Sequence, residues 1–268
     1  MIIEQFFNTP IGMALLAGIV IWGFTTVGAA VVFISKEFSR RTLDLMLGFA
    51  GGIMIAASYW SLLEPALEMS EYLGKWSLVP VGSGVILGAA FLRLLDYILP
   101  HIHIVEGVLD GRKSKLPRST LLVLAITLHN IPEGLAVGVV FGAVGLGTPE
   151  ATLSSAISLM LGIGLQNIPE GLAVSGPLLR EGYSRKKAFL FGLFSGIVEP
   201  IAVIIGALAV TTVTTLLPFA LAFAAGAMIF VVVEEVVPES YASGNGDSSS
   251  MAIILGFVVM MCFDVLLG

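Results

Sequence analysis

Cysteine occurs once, at Cys262, which excludes an intrachain disulfide and any zinc site built on several cysteines. Charge is scarce too. Only 12% of the 268 residues are Asp, Glu, Lys or Arg, against about 25% in soluble domains. No exposed basic domain is present, so nucleic acid is excluded as a partner. The N-terminus carries Glu4 where a cleaved signal peptide has Lys or Arg, and the first apolar run is long enough to stay as an anchor. What fills the chain instead is apolar: 57% hydrophobic residues and 31 glycines, with a mean hydropathy of +1.00. This is the composition of a polytopic membrane protein with little outside the bilayer. The formal net charge of −6 therefore matters less than where the charges lie.

A membrane-crossing helix needs about 20 mostly apolar residues. Eight segments meet that requirement, at about 11–34, 42–64, 78–99, 119–142, 152–179, 188–210, 217–237 and 251–267. The fold class is all-α, one transmembrane domain over residues 1–268. Basic residues concentrate on one side of the predicted topology. Lys36, Arg40 and Arg41 fall in the first loop, Arg112, Lys113, Lys115 and Arg118 in the third, and Arg180, Arg185, Lys186 and Lys187 in the fifth. The positive-inside rule puts those loops in the cytoplasm and both termini outside, in the plasma (inner) membrane of a cell. Glu64, Glu68 and Glu71 then follow the second helix outside; they could concentrate cations there, but the simpler reading is a solvated loop. Residues 243–250 read as a flexible inner loop. Small residues four apart, such as Gly48 and Gly52 or Gly84 and Gly88, allow close helix packing within a monomer or across a homodimer.

One stretch is written twice. Residues 129–138 read His-Asn-Ile-Pro-Glu-Gly-Leu-Ala-Val-Gly, and residues 166–175 read Gln-Asn-Ile-Pro-Glu-Gly-Leu-Ala-Val-Ser. His129, Asn130 and Glu133 share one face of the fourth helix; Gln166, Asn167 and Glu170 share one face of the fifth. Pro132 and Pro169 have no N–H, which frees the carbonyls of Leu128 and Leu165. The copies run in opposite directions and meet at midmembrane as a cage of hard and borderline donors. Helix–helix glue explains a lone Asn. It does not explain two carboxylates at that depth, where no Lys or Arg is available; each needs a proton, a partner or a bound cation.

Other polar residues fall along the same route. Glu199 sits in the middle of the sixth helix before Pro200 and needs a partner of its own. Asp44, Asp96, Glu234, Glu235 and Asp264 lie toward helix ends, where a carboxylate serves equally as a cap or as a pathway group. Met54 and Ser61 are seven apart on the second helix and so share a face; a Met there is ordinarily packing. His101 and His103 stand near Glu106 and Asp110 in a cytoplasmic loop, a pattern that can hold Zn²⁺ loosely.

With those residues in view, the chain resembles the ZIP (Zrt-, Irt-like) family of divalent-metal transporters, in its compact prokaryotic GufA-type branch. The likeness rests on the paired motif His129-Asn130-Ile131-Pro132-Glu133-Gly134 and Gln166-Asn167-Ile168-Pro169-Glu170-Gly171, and covers essentially the whole chain. It implies an inverted repeat of helices 1–3 and 6–8 around the fourth and fifth. It also implies a midmembrane metal site, often binuclear and bridged by the two Glu, formed by His129, Asn130, Glu133, Gln166, Asn167, Glu170 and Glu199, with Met54 and Ser61 added in this branch. Asp264 would be an entrance carboxylate. Asp44, Asp96, His101, His103, Glu234 and Glu235 would line the release side. Many relatives carry His and Asp where Gln166 and Asn167 stand here, so two unequal metal positions are expected.

The implied activity is movement of Zn²⁺, or of Cd²⁺, Fe²⁺ or Mn²⁺, into the cytoplasm by alternating access, without a resident cofactor and without enzymatic turnover. Membrane lipid and the metal ion are the implied partners. A gated cation channel is the main competing class. An intramembrane metallohydrolase is a weaker one: His129 and Glu133 are four apart, but His-Glu-x-x-His is absent. A metal sensor without flux lacks the soluble domain it would need.

Overall fold

The computed structural model describes residues 6–35, 39–102, 109–110 and 115–267. Eight helices long and apolar enough to cross a membrane make up the described chain. They are α1 (Pro10–Phe33), α2 (Arg40–Glu68), α3 (Leu78–Ile98), α4 (Arg118–Gly145), α5 (Leu153–Arg180), α6 (Arg185–Thr212), α7 (Thr214–Tyr241) and α8 (Gly246–Leu267). All eight expected segments are present, shifted by a few residues at their ends. Ser and Thr fix several of the starts. The side chains of Thr9, Ser39, Thr152 and Ser184 accept from Gly12, Thr42, Ser155 and Lys187 N–H groups, pairing donors that a helix start leaves open.

One departure from the all-helical expectation lies between α3 and α4. Two-residue strands, β1 (His101–Ile102) and β2 (Leu109–Asp110), pair antiparallel with His101 opposite Asp110. His103, Glu106, Arg112 and Lys113 lie outside the described residues, as does Lys36.

The polarity of the molecule is that of a bilayer protein. Ile86, Leu78, Ile205 and Leu255 are exposed on its outside, while Glu133, Glu170 and Glu199 are buried. Apolar surface faces outward and carboxylates face one another, as membrane solvent requires.

The helices sort into two groups. In one, α1 packs on α5 and α4 on α6, with α1 also touching α4 and α6. In the other, α2 packs on α8 and α3 on α7. The groups meet where α2 and α8 touch α5 and where α7 touches α4. The pairings depend on bare backbone. A Cβ on Gly52 would run into the Ile253 carbonyl, and one on Gly226 into the Val85 carbonyl. Glycine lets each pair approach to backbone contact.

Three helices are locally irregular. The α-helical winding of α2 opens to π geometry at Ser58–Leu63, and that of α7 at Val232–Val236. A proline follows each, Pro65 and Pro238. In α6 the winding breaks between Ser195 and Val198, four residues and fewer before Pro200, which cannot donate backward. The carbonyls left open there are taken by neighbours: Trp22 Nε1 donates to Leu193 at 2.8 Å and Asn130 Nδ2 to Ser195 at 3.2 Å.

Candidate metal centre

The paired motif lies where α4 and α5 face α1 and α6. Both prolines sit inside continuous helix, so the local cost of each is absorbed without ending the span. His129, Asn130, Glu133, Gln166, Asn167, Glu170 and Glu199 are all buried, and Glu133 is within electrostatic reach of both Glu170 and Glu199.

Glu199 organises one side of this cluster. Its Oε1 accepts from Thr25 Oγ1 at 2.6 Å and from Asn130 Nδ2 at 3.2 Å, and its Oε2 accepts from Asn167 Nδ2 at 3.0 Å. The break in α6 is what brings the carboxylate to both amides. Because Glu199 consumes their N–H groups, the oxygens of the two asparagines point elsewhere. Asn167 Oδ1 accepts from Gln166 Nε2 at 3.0 Å, which leaves the Gln166 oxygen free in turn. Glu199 thus orients donors as well as being a candidate ligand.

Six buried oxygens result without a well-formed hydrogen bond, namely Asn130 Oδ1, Gln166 Oε1, and both carboxylate oxygens of Glu133 and of Glu170, although the Glu133 carboxylate stands beside Gln166 and Glu170. A buried acceptor left unpaired costs about 1–3 kcal/mol, and more when charged. Six such oxygens on four neighbouring side chains form an acceptor cluster, the chemistry that suits a cation. Among the described residues, no three His, Cys, Asp or Glu side chains are arranged to hold a metal ion by themselves. The donor set is therefore mixed carboxylate and amide oxygen.

His129 turns the other way. Its Nε2 lies 2.7 Å from Glu235 Oε2, and His129, Glu170, Glu235 and Glu239 line a cavity of about 20 Å³. Glu239, buried one helical turn beyond Glu235, was not expected from the sequence. The signal was a carboxylate directly after the last proline of an apolar segment. Glu234, its sequence neighbour Glu235 notwithstanding, is exposed.

Met54 and Ser61 part company. Met54 is fully buried in the main hydrophobic core. Ser61 donates to Asp264 Oδ1 at 2.9 Å, and Ser158 approaches the same oxygen at 3.4 Å. Ser61 lies inside the π-wound segment Ser58–Leu63, where the winding departs from the one that a seven-residue spacing assumes. Asp264 and Ser61 line a cavity of about 360 Å³ with Glu64, Glu68 and Glu150, at the end of the helices that the charge pattern assigns to the outer side. Glu64 and Glu68 are thus part of α2 and of this cavity's acidic wall, where the sequence reading had a solvated loop. Glu150 was missed because the loop before α5 carries no local pattern that aims it there.

The residues expected on the release side have local partners. Asp44 accepts from Asn245 Nδ2 at 2.7 Å and from Ser243 Oγ at 3.3 Å, so residues 243–245 are tied to α2 rather than loose. Asp96 pairs with Arg93 at 2.8 Å. His101 begins β1.

Comparison with known proteins bears on this arrangement. A family profile described as ZIP Zinc transporter matches residues 109–264. The chain belongs to the ZIP family. It is 43% identical to Zinc transporter ZIP11 of Bos taurus, over 97% of this chain and 99% of that protein. It is 38% identical to Zinc transporter GufA of Myxococcus xanthus, over 96% and 100%, and 37% identical to Zinc transporter ZIPB of Bordetella bronchiseptica, over 96% and 82%. The ZIP profile spans both copies of the duplicated motif and reaches Asp264, one of the acidic residues of the outer cavity. This ZIP chain is a multi-pass membrane protein.

Proposed function

We propose that the protein carries Zn²⁺, or a divalent cation of similar size, across the inner membrane into the cytoplasm by alternating access. The observation that carries this reading is the set of six buried oxygens without a well-formed hydrogen bond on Asn130, Glu133, Gln166 and Glu170, in a stretch, 119–179, without a single Lys or Arg. Two buried carboxylates with no Lys or Arg beside them need a cation or a proton, and a cation answers both together. The relatives named as zinc transporters supply the choice of metal.

On this reading the ion enters past Glu150, Glu64 and Asp264. It exchanges water for the oxygens of Glu133, Glu170 and the two amides, with Asn130 and Asn167 aimed by Glu199. It leaves past His129, Glu235 and Glu239. Two unequal positions fit the donors: oxygens alone around Glu133, and an imidazole beside Glu170.

Movement of the two helix groups against each other is the step that opens one side and then the other. Helix pairing supports an inverted repeat behind it. Exchanging α1 with α6, α2 with α7, α3 with α8 and α4 with α5 turns the α1–α5 contact into α6–α4, and α2–α8 into α7–α3. The π turns of α2 and α7 exchange as well. A midplane site between inverted repeats is a common transporter plan.

The test is zinc uptake into proteoliposomes. Glu133→Ala and Glu170→Ala should each reduce it sharply. Unchanged uptake in a correctly folded double variant would sink the proposal. Competition by Cd²⁺, Fe²⁺ and Mn²⁺ in the same assay reads metal preference. Saturable uptake that stops when the two groups are cross-linked separates a carrier from a channel.

A further inference from the structure

An apolar groove of about 710 Å³ opens on the outside of the molecule, between α2, α5 and α8. Phe49, Leu165, Ile168, Pro169, Met251 and Leu255 form its walls. Met251 and Leu255 are exposed, so the groove is open to the surroundings along an apolar edge. Its volume is in the range of sites for small molecules, roughly 300–1,000 Å³.

One end of the groove is polar. Thr42 and Ser248 stand there, and Arg41 Nη2 donates to Ser248 Oγ at 3.4 Å. Arg40 precedes Arg41 in the first turn of α2. Arg40 is also near enough to Arg180, the last residue of α5, for the two positive charges to oppose each other. Arg40 and Arg41 therefore begin one wall of the groove, and Arg180 ends the helix that forms another. An apolar slot at membrane depth beneath clustered guanidinium groups complements one kind of molecule in its surroundings: a lipid with a long apolar chain and an anionic head. Arginine matches phosphate in a forked geometry, and basic pockets between membrane helices recognise anionic head groups.

We propose that this groove binds an anionic phospholipid, one acyl chain lying against Phe49, Ile168 and Leu255 and the phosphate held by Arg40, Arg41 and Arg180. The position gives the lipid a role. The α5 wall belongs to one helix group and the α2 and α8 walls to the other. Ile168 and Pro169 of the groove stand between Asn167 and Glu170 of the metal centre. A chain seated there touches both groups at the level of the duplicated motif, so its occupancy biases how one slides on the other. This second consequence rests on the proposed transport; the binding itself does not.

Native mass spectrometry of the delipidated full chain, titrated with phosphatidylglycerol or phosphatidylcholine, tests the site. The expected result is one phosphatidylglycerol held in clear preference to phosphatidylcholine. Arg41→Gln should weaken it about five-fold and Arg40→Gln with Arg41→Gln further, the order set by one basic side chain near an anionic surface. Leu255→Trp and Met251→Trp fill the groove from exposed positions, leave folding intact, and should abolish the bound lipid. Ile86→Trp, exposed on α3, should not. Equal binding of the two lipids, or full binding in the Leu255→Trp and Met251→Trp proteins, overturns the proposal. Zinc uptake that responds to phosphatidylglycerol in the wild type but not in Leu255→Trp supports the coupling. Absence of uptake in every lipid counts against the transport reading and leaves the binding result standing.

Discussion

His129 Nε2 lies 2.7 Å from Glu235 Oε2, and this contact joins α4 of one helix group to the π turn of α7 in the other. The histidine of the duplicated motif is thereby tied to the carboxylate beyond it.

If the pair holds the groups together, its members do not act independently. A hydrogen bond to a charged group contributes roughly 1.5–3 kcal/mol, and residues in direct contact show non-additive losses. Glu235→Ala and His129→Ala should each lower the unfolding midpoint in detergent. The double variant should lose clearly less than the sum. Strictly additive shifts would show that the contact carries no energy of its own.

Asp44 separates a pathway role from a structural one. Both its oxygens are occupied by Asn245 and Ser243. Asp44→Ala should raise amide hydrogen exchange over residues 243–246 while zinc affinity at the midmembrane centre stays within about two-fold, since the lost bonds are local. Loss of affinity without faster exchange would assign Asp44 to the ion path instead.

How much of this was legible beforehand depends on the range of the interaction. The eight spans were, because burial in lipid acts on every residue of a segment and leaves a long apolar signal. The clustering of Glu133 and Glu170 was, because unpaired carboxylates in apolar helices have few explanations. The change of winding in α2 around Ser61 was not. Periodicity assumes constant winding, and Ser58–Leu63 is wound as π helix. The role of Glu199 in aiming Asn130 and Asn167 was hidden too, since it depends on a break in α6 and on residues 32 to 174 positions away. Glu150 reaches the outer cavity only through the packing of α2, α4, α5 and α8 around it.

Glycine contact can be tested with its own control. Alanine is favoured over glycine inside a helix by about 1 kcal/mol. Gly82→Ala adds a Cβ that meets nothing within 4 Å, so it should leave stability unchanged or slightly raised. Gly226→Ala drives a Cβ into the Val85 carbonyl and must separate α3 from α7, at a cost of about 1–3 kcal/mol. Opposite shifts of the two unfolding midpoints are expected. A stabilised Gly226→Ala protein would mean the backbones can part freely.

Glu199→Gln probes orientation without loss of size. The carboxylate accepts from Thr25, Asn130 and Asn167. An amide brings its own N–H₂ against those donors, so at least one asparagine must turn its oxygen toward residue 199 and out of its present orientation. Zinc affinity should fall by about 10-fold or more, as outer hydrogen-bond partners of metal ligands typically tune affinity by 10–100-fold. Thr25→Ala removes one donor and leaves the amides aimed, so it should cost much less. Isothermal titration of both variants decides. Equal losses in the two variants would overturn the aiming role of Glu199.

On the proposed entry route, the ion would meet the outer cavity before the midmembrane donors. Glu64, Glu68, Glu150 and Asp264 face one cavity, and like charges around a mouth raise the local concentration of counter-ions. Glu150 is exposed and makes no contact with Glu133 or Glu170, so its charge can be removed without touching the midmembrane donors. Glu150→Gln should raise the KM for zinc uptake a few-fold at low ionic strength and leave the maximal rate unchanged. Added salt should erase the difference, because the Debye length shrinks to about 8 Å at 0.15 M. Asp264→Asn touches Ser61 and Ser158 as well, so its effect should persist in salt. A salt-insensitive Glu150 effect would point to direct ligation at the mouth instead of attraction from a distance.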